Sequence, residues 1–329
     1  MLASLGEKPN GGTTMEKVDT AAIAAPVGRN AFGPAASKLL NLPPFIPACA
    51  GNVLWGFSFL FTRMALQAAS PEILLSVRFV TAFLFMNLLI LLGKGRVSLR
   101  GKNLKPLIVL GLLEPVYFFF ESYGILYTNA TLAGVILAAT PVVSIVLAAV
   151  FLKEYPLRRQ VLFCLFPVAG VIVITVCGSS MGIASALGLV LLFCTCLISA
   201  ASKTLNRRVS RDYSPFERTY MGLLAGSVVF TLSAFRSVGG DFGKYFDLAL
   251  QPRVLGPALV LGVFCSIVAG IMVNYAAGKM PVVKLTTFGA ISTVCSTFAG
   301  VLFLGEPLSA ALFAGSFLIV VGIWQVTRI

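Results

Sequence analysis

The sequence predicts an all-α integral membrane protein, with ten transmembrane helices arranged as two inverted five-helix repeats. Three observations predict it: sparse charge, apolar segments of bilayer-crossing length, and basic residues confined to alternate connections. Hydrophobic residues make up 58% of the chain and charged residues 11%, against roughly 25% charged in an ordinary soluble domain. So few charges cannot cover a water-facing surface. A lipid-facing surface needs none, provided the backbone is satisfied within helices.

In chain order, residues 1–43 are rich in Ala, Gly, Pro, Asn and Thr and lack a continuous apolar run, which reads as a flexible cytoplasmic tail. From Pro44 onward, apolar segments fall at about 44–66, 70–92, 104–127, 129–152, 157–178, 183–204, 215–236, 254–276, 280–304 and 308–327. At 1.5 Å rise per residue, about 20 residues cover a hydrocarbon core of ~30 Å. The first repeat is expected over 44–178 and the second over 183–327. With the N-terminus inside, the inner connections hold Lys94, Arg96, Arg100, Lys102 and Lys105, then Lys153, Arg158 and Arg159. After these come Lys203, Arg207, Arg208 and Arg211, and finally Lys279. The outer connections hold Arg236, Lys244 and Arg253, so the split is thirteen to three. That asymmetry follows the positive-inside rule and places both termini in the cytoplasm of a plasma-membrane protein.

The two halves match internally. At an offset of 152, Tyr123 meets Tyr275, Glu154 meets Glu306 and Gly170 meets Gly322, while Ser70-Pro71 opens the second span as Ser214-Pro215 opens the seventh. Five spans per half is an odd number, so the second copy inserts upside down. Inverted repeats are the architecture from which alternating access follows.

The run Asn52-Val53-Leu54-Trp55-Gly56-Phe57-Ser58 resembles the drug/metabolite transporter superfamily, in its EamA-type branch. So do Thr140-Pro141, Phe151-Leu152-Lys153-Glu154, and Phe303-Leu304-Gly305-Glu306-Pro307 followed by Gly315 and Gly322. The likeness spans residues 44–327. It implies a secondary transporter, commonly an exporter of small metabolites, amino acids or drug-like solutes. The ninth span departs from the fourth, with Ser292-Thr293 in place of Thr140-Pro141, so proline-dependent flexing is expected on one side only.

Ionised groups within hydrocarbon are expensive and face a cavity or a partner. Arg78 lies about eight residues, roughly 12 Å, into the second span. Glu114 lies near the middle of the third span, and Glu121 follows two turns later on the same face, with Tyr117 between them. Two alternatives stand. Arg78 and Glu121 form an internal bridge, or the group forms a cavity floor in which the carboxylate in excess binds a proton or a substrate ammonium. Arg63, Glu217, Arg218 and Lys284 sit near span ends, where long basic side chains snorkel to the interface. Asn52, Trp55, Ser58, Tyr123, Asn274 and Tyr275 are further candidates to line a pathway, and Lys284 opens the ninth span at the repeat interface. Gly222-x-x-x-Gly226 suits close helix packing.

Other functions are poorly supported. The formal charge of +13 lies between apolar segments, not on a basic domain, which disfavours nucleic acid as a partner. There is no histidine, so His-based catalysis and metal ligation are excluded. The seven cysteines lie in or beside apolar stretches and read as small buried hydrophobes with no disulfide framework. A phosphate-binding Gly-x-x-x-x-Gly-Lys-[Ser/Thr] loop is absent, so no cofactor or ATP-driven step is expected. The partners expected are lipid, a small-molecule substrate and a coupling proton. A sugar-phosphate or nucleotide-sugar exchanger is the nearest alternative, though Glu114 and Glu121 would repel a phosphate. An intramembrane enzyme or a channel has less support.

Overall fold

The computed structural model describes residues 42–127, 136–137, 139–178, 185–304 and 310–329. All but the end of the expected tail lies outside the described residues, as do Glu306 and much of the first half of the expected fourth span. The described regular elements are all helical. In order they are α1 (Phe45–Leu66), α2 (Pro71–Leu91), α3 (Leu104–Leu126), α4 (Thr140–Leu152), α5 (Arg158–Gly178), α6 (Ala186–Val209) and α7 (Pro215–Ser237). Next come α8 (Phe242–Ala249), α9 (Pro252–Val260), a π-helical stretch (Leu261–Val268), α10 (Ala269–Lys279), α11 (Val282–Thr287), α12 (Ala290–Leu304) and α13 (Ala310–Arg328). Among the described residues, six spans are long and apolar enough to cross a bilayer, with α9 through α10 forming one and α11–α12 another. There are seven if α7 and α8 count together.

Local chemistry sets these boundaries. Ser70 and Ser214 precede Pro71 and Pro215, whose fixed φ and missing N–H suit a first helical turn. Ser214 also forms a capping box with Glu217. The α4 helix ends on Lys153, which is left-handed at φ 56° and turns the chain so that Glu154 points back at the bundle. The six described cysteines are free.

Several expectations need correction. The sixth span was expected to end at 204, but α6 runs to Val209 and takes in Lys203, which was expected in a connection. The long connection after α7 carries a helix of its own. Asp241 caps α8 by accepting from the Lys244 N–H, and α8 bends 114° from α7. The ninth span breaks into α11 and α12 at Phe288-Gly289 without proline. There the Ser292 hydroxyl donates to the Gly289 carbonyl at 2.7 Å, much as Thr140 donates to Leu137 at 2.6 Å. Both places therefore carry a hydroxyl bonded to its own backbone, with proline at one of them only. A hydroxyl that bonds its own backbone can bend a helix by itself.

Helices pack mainly across the two halves. The principal partners are α1 with α9–α10 and α12, α2 with α7, α3 with α6 and α7, α4 with α6, and α5 with α13. Contact order along the chains shows α5 and α13 to be antiparallel. They approach so closely that a Cβ on Gly170 would lie 2.5 Å from the Gly315 carbonyl oxygen, and one on Gly315 would lie 2.5 Å from that of Gly170. Only glycine permits this approach. Arg96–Lys105, Glu154, Arg207–Glu217 and Gly278–Val282 gather at one end of the bundle, called here the basic end. The α1–α2 turn and α8 lie at the other.

Candidate functional site

Two polar regions stand out, and they are built differently. The first occupies the space between α2, α3, α7 and the π stretch. On α2, Arg78 is 7% exposed and donates from Nε to Ser266 Oγ of the π stretch at 2.9 Å. Its guanidinium carbon lies 5.3 Å from the Phe118 ring centre and 5.8 Å from that of Phe79, within cation–π range. Phe79, Phe118 and Phe230 form an edge-on aromatic group behind it.

On α3, Tyr117 donates to Glu121 Oε1 at 2.7 Å, which fixes one carboxylate oxygen. Glu114 packs on the bare backbone of Gly222, where a Cβ would come 2.7 Å from Oε2. It is nonetheless exposed, so the space in front of it admits water-sized molecules. Arg78 is in electrostatic reach of both carboxylates. No contact ion pair joins it to either among the described residues, so the Arg78–Glu121 bridge, one of the two alternatives, is not formed. Above this group, Glu72, Phe119, Ser122, Tyr123 and Ser233 line a crevice towards the end opposite the basic one.

The π stretch is what holds Arg78. A π-helix bonds each residue to the fifth before it, one further than an α-helix, and is found frequently at functional positions. Here Cys265 accepts the Trp55 indole N–H on its carbonyl at 2.8 Å, and the next residue, Ser266, takes Arg78. Trp55 therefore anchors α1 to the element that positions the arginine. Gly226 receives the Phe79 ring, so the Gly222/Gly226 pair serves packing inside the chain.

The second region closes the basic end. Arg218 donates to both oxygens of Asn206, to the Asn274 carbonyl at 2.7 Å and to the Ser214 carbonyl at 3.4 Å. Asn206 donates to Asn274, whose own amide donates to Thr219 at 2.8 Å. Arg207 joins Glu154 at 3.1 Å and the Gly278 carbonyl at 2.6 Å, and Glu154 also accepts from the Val282 N–H at 3.3 Å. Glu217 binds Lys102 at 3.1 Å and the Ser98 N–H at 2.9 Å. Arg218 and Glu217 are each 3% exposed, so the expectation that Arg218 snorkels to the interface is overturned. It is a tie between helices.

The remaining candidates are dispersed. Asn52 is buried and donates to the Ala48 carbonyl of its own helix at 2.7 Å. Tyr275 is buried near the start of α1 and donates to the Leu42 carbonyl at 3.3 Å. Lys284 reaches the Thr327 carbonyl at 3.5 Å. Tyr123 stacks on Phe119 with centres 4.7 Å apart. Ser58 bonds back to Trp55. The sequence reading missed Ser266, Asn206 and Lys203. Lys203 alone carried a usable signal, being a lysine one turn before Arg207 on a helical pattern.

Sequence and structure comparisons agree on kinship. Residues 44–176 and 186–328 each match the EamA-like transporter family. A Bacillus subtilis (strain 168) protein named uncharacterized transporter YcxC is 34% identical over 290 residues, covering 87% of this chain and 93% of that one. An uncharacterized transporter of Archaeoglobus fulgidus is 27% identical over 83% of this chain and 95% of its own length. A protein of known crystal structure shares the fold with a TM-score of 0.72 over 87% of this chain and 96% of that one, at 19% identity. The paired matches, the all-helical apolar architecture and the intramembrane charges agree, and the chain is a multi-pass membrane protein belonging to the EamA-like transporter family.

Proposed function

We propose that this protein is a secondary active exporter that carries a small amphiphilic or zwitterionic metabolite across the cell membrane by alternating access, with protons as the coupling ion. The observation that carries this reading is the intramembrane group of Arg78, Glu114, Glu121 and Tyr117 against the aromatic Phe79, Phe118 and Phe230. A guanidinium and two carboxylates held apart by protein geometry suit a solute bearing both charges, and the rings suit its apolar part. Either carboxylate can also hold a proton during the return step.

The architecture supports the same reading. In this reading each broken helix is a single crossing, and the chain has ten spans in two halves, 44–178 and 183–327. The helix pairing is then unchanged when the halves are exchanged. Pairing of the first span with the eighth and ninth corresponds to pairing of the sixth with the third and fourth, and second–seventh and fifth–tenth correspond to themselves. The left-handed Lys153 matches Gly305 at the offset of 152, a residue suited to positive φ. With the basic end cytoplasmic by the positive-inside rule, the ties around Arg218 and Arg207 are a closed inner gate, and the Tyr123 crevice leads outward.

The test is counterflow and pH-gradient-driven flux of radiolabelled amino acids and cationic solutes in proteoliposomes of the purified full chain. Saturable flux that responds to the gradient supports the reading. Absence of saturable flux across that panel refutes it.

A further inference from the structure

Lys203 has no role in the site described above. It lies in α6, six residues before the helix ends at Val209, or roughly 9 Å along the axis. Its side chain is only half-buried, so part of it is within reach of a water-sized molecule. Yet it has no hydrogen bond and no ion pair among the described residues. Among the described residues, the titratable group in its electrostatic reach is the Cys196 thiol, two turns away, which itself contacts the Thr140 hydroxyl at 3.6 Å.

The carboxylates of the neighbouring helices are bonded to, or turned towards, other groups. Glu154, at the end of neighbouring α4, is taken by Arg207 and the Val282 N–H. On α3, Glu114 turns towards Gly222 of α7, and Glu121 is held by Tyr117. One turn beyond Lys203, the Arg207 ties close the way to the basic end. An intramembrane cation left without a counter-charge is costly, and proteins keep such groups where a ligand or ion pathway uses them.

We propose that Lys203 is an anion-recognising residue on the inner half of the pathway, where its ammonium receives the carboxylate of a small organic acid or of a zwitterionic solute. This deepens the transporter reading and rests on it. Arg78 and Lys203 then form two cationic stations at different depths, one serving the crevice near Tyr123 and the other lying just inside the tied basic end.

The test is thermal unfolding of the purified full chain in neutral detergent with benzoate or benzamide, which differ little in size and shape but not in charge. Benzoate alone should raise the midpoint of the wild type. Lys203→Arg should keep that response, and Lys203→Met should weaken benzoate affinity by about tenfold or more, the scale of one charge-assisted hydrogen bond. Lys203→Met should also unfold no earlier than wild type without ligand, because it removes an unpaired charge from an apolar setting. An undiminished benzoate response in Lys203→Met overturns the proposal. So does equal stabilisation by benzamide, or stabilisation by anionic phospholipid with none by benzoate. Flux in proteoliposomes is scored separately. Flux without a Lys203-dependent benzoate response removes this subsite and leaves the transporter reading standing, whereas a Lys203-dependent response without flux supports the subsite and removes the transporter reading.

Discussion

The basic end and the Arg78 site draw on the same residue types and use them in opposite ways. At the basic end every buried charge is saturated. Arg218 meets Asn206, Asn274 and Ser214, Arg207 meets Glu154 and Gly278, and Glu217 meets Lys102 and two backbone amides. Around Arg78, charges of both signs stand within electrostatic reach and stop short of contact. Two of the three are fixed by neutral partners instead, Arg78 by Ser266 and Glu121 by Tyr117. Saturated charges tie helices together. Charges held apart leave capacity for something that is not part of the protein, and that difference separates scaffold from candidate site.

The contrast can be broken experimentally, and the largest effect is expected at the site. Glu114→Gln and Glu121→Gln should each lower proton-driven flux by about 100-fold or more, the scale of losing a proton-transferring group. Thermal midpoint and elution volume should stay close to wild type. Unchanged flux in both variants would remove these carboxylates from the mechanism. At the basic end the sign of the experiment reverses. Arg218→Ala should destabilise by about 2–3 kcal/mol, since it strips charged hydrogen bonds from buried Asn206 and half-buried Asn274, and a midpoint equal to wild type would contradict its role as a tie.

Gly170→Val tests the frame that both regions share. Its side chain meets the Gly315 backbone, which has no rotamer through which to yield, so a loss of about 1–3 kcal/mol is expected in the same unfolding assay. The smallest effect belongs to Lys102→Met. Lys102 is 29% exposed, so its pairing with Glu217 is screened and should contribute under about 1 kcal/mol. A larger loss would show that the basic end holds less securely without that bridge than its geometry suggests.

Much of the scaffold was legible in the sequence because bilayer crossing imposes a length and a polarity on each segment. Starts such as Ser70-Pro71 and Ser214-Pro215 name themselves, and α1, α2, α3, α5 and α7 fall within a residue or two of the expected spans. Irregular elements were harder. Neither the π stretch nor the Phe288-Gly289 break has a local signature, since both arise where packing lets a side chain or a neighbour replace a ladder hydrogen bond. The Glu114, Tyr117 and Glu121 stripe was visible because helical spacing alone puts residues i, i+3 and i+7 on one face.

By itself, then, the sequence determined that this chain lives in a membrane and that it consists of two related halves. Those properties follow from composition, periodicity and offset, which need no knowledge of which helix touches which. Tertiary structure decided what each charge does. It turned Arg218 from a snorkelling end residue into a buried tie, moved Lys203 from a connection into the bundle, and kept Arg78 from closing on Glu121. Whether two charges meet depends on helix rotation and on which small residues let backbones approach, as Gly222 does for Glu114, and neither is written in any single stretch of chain.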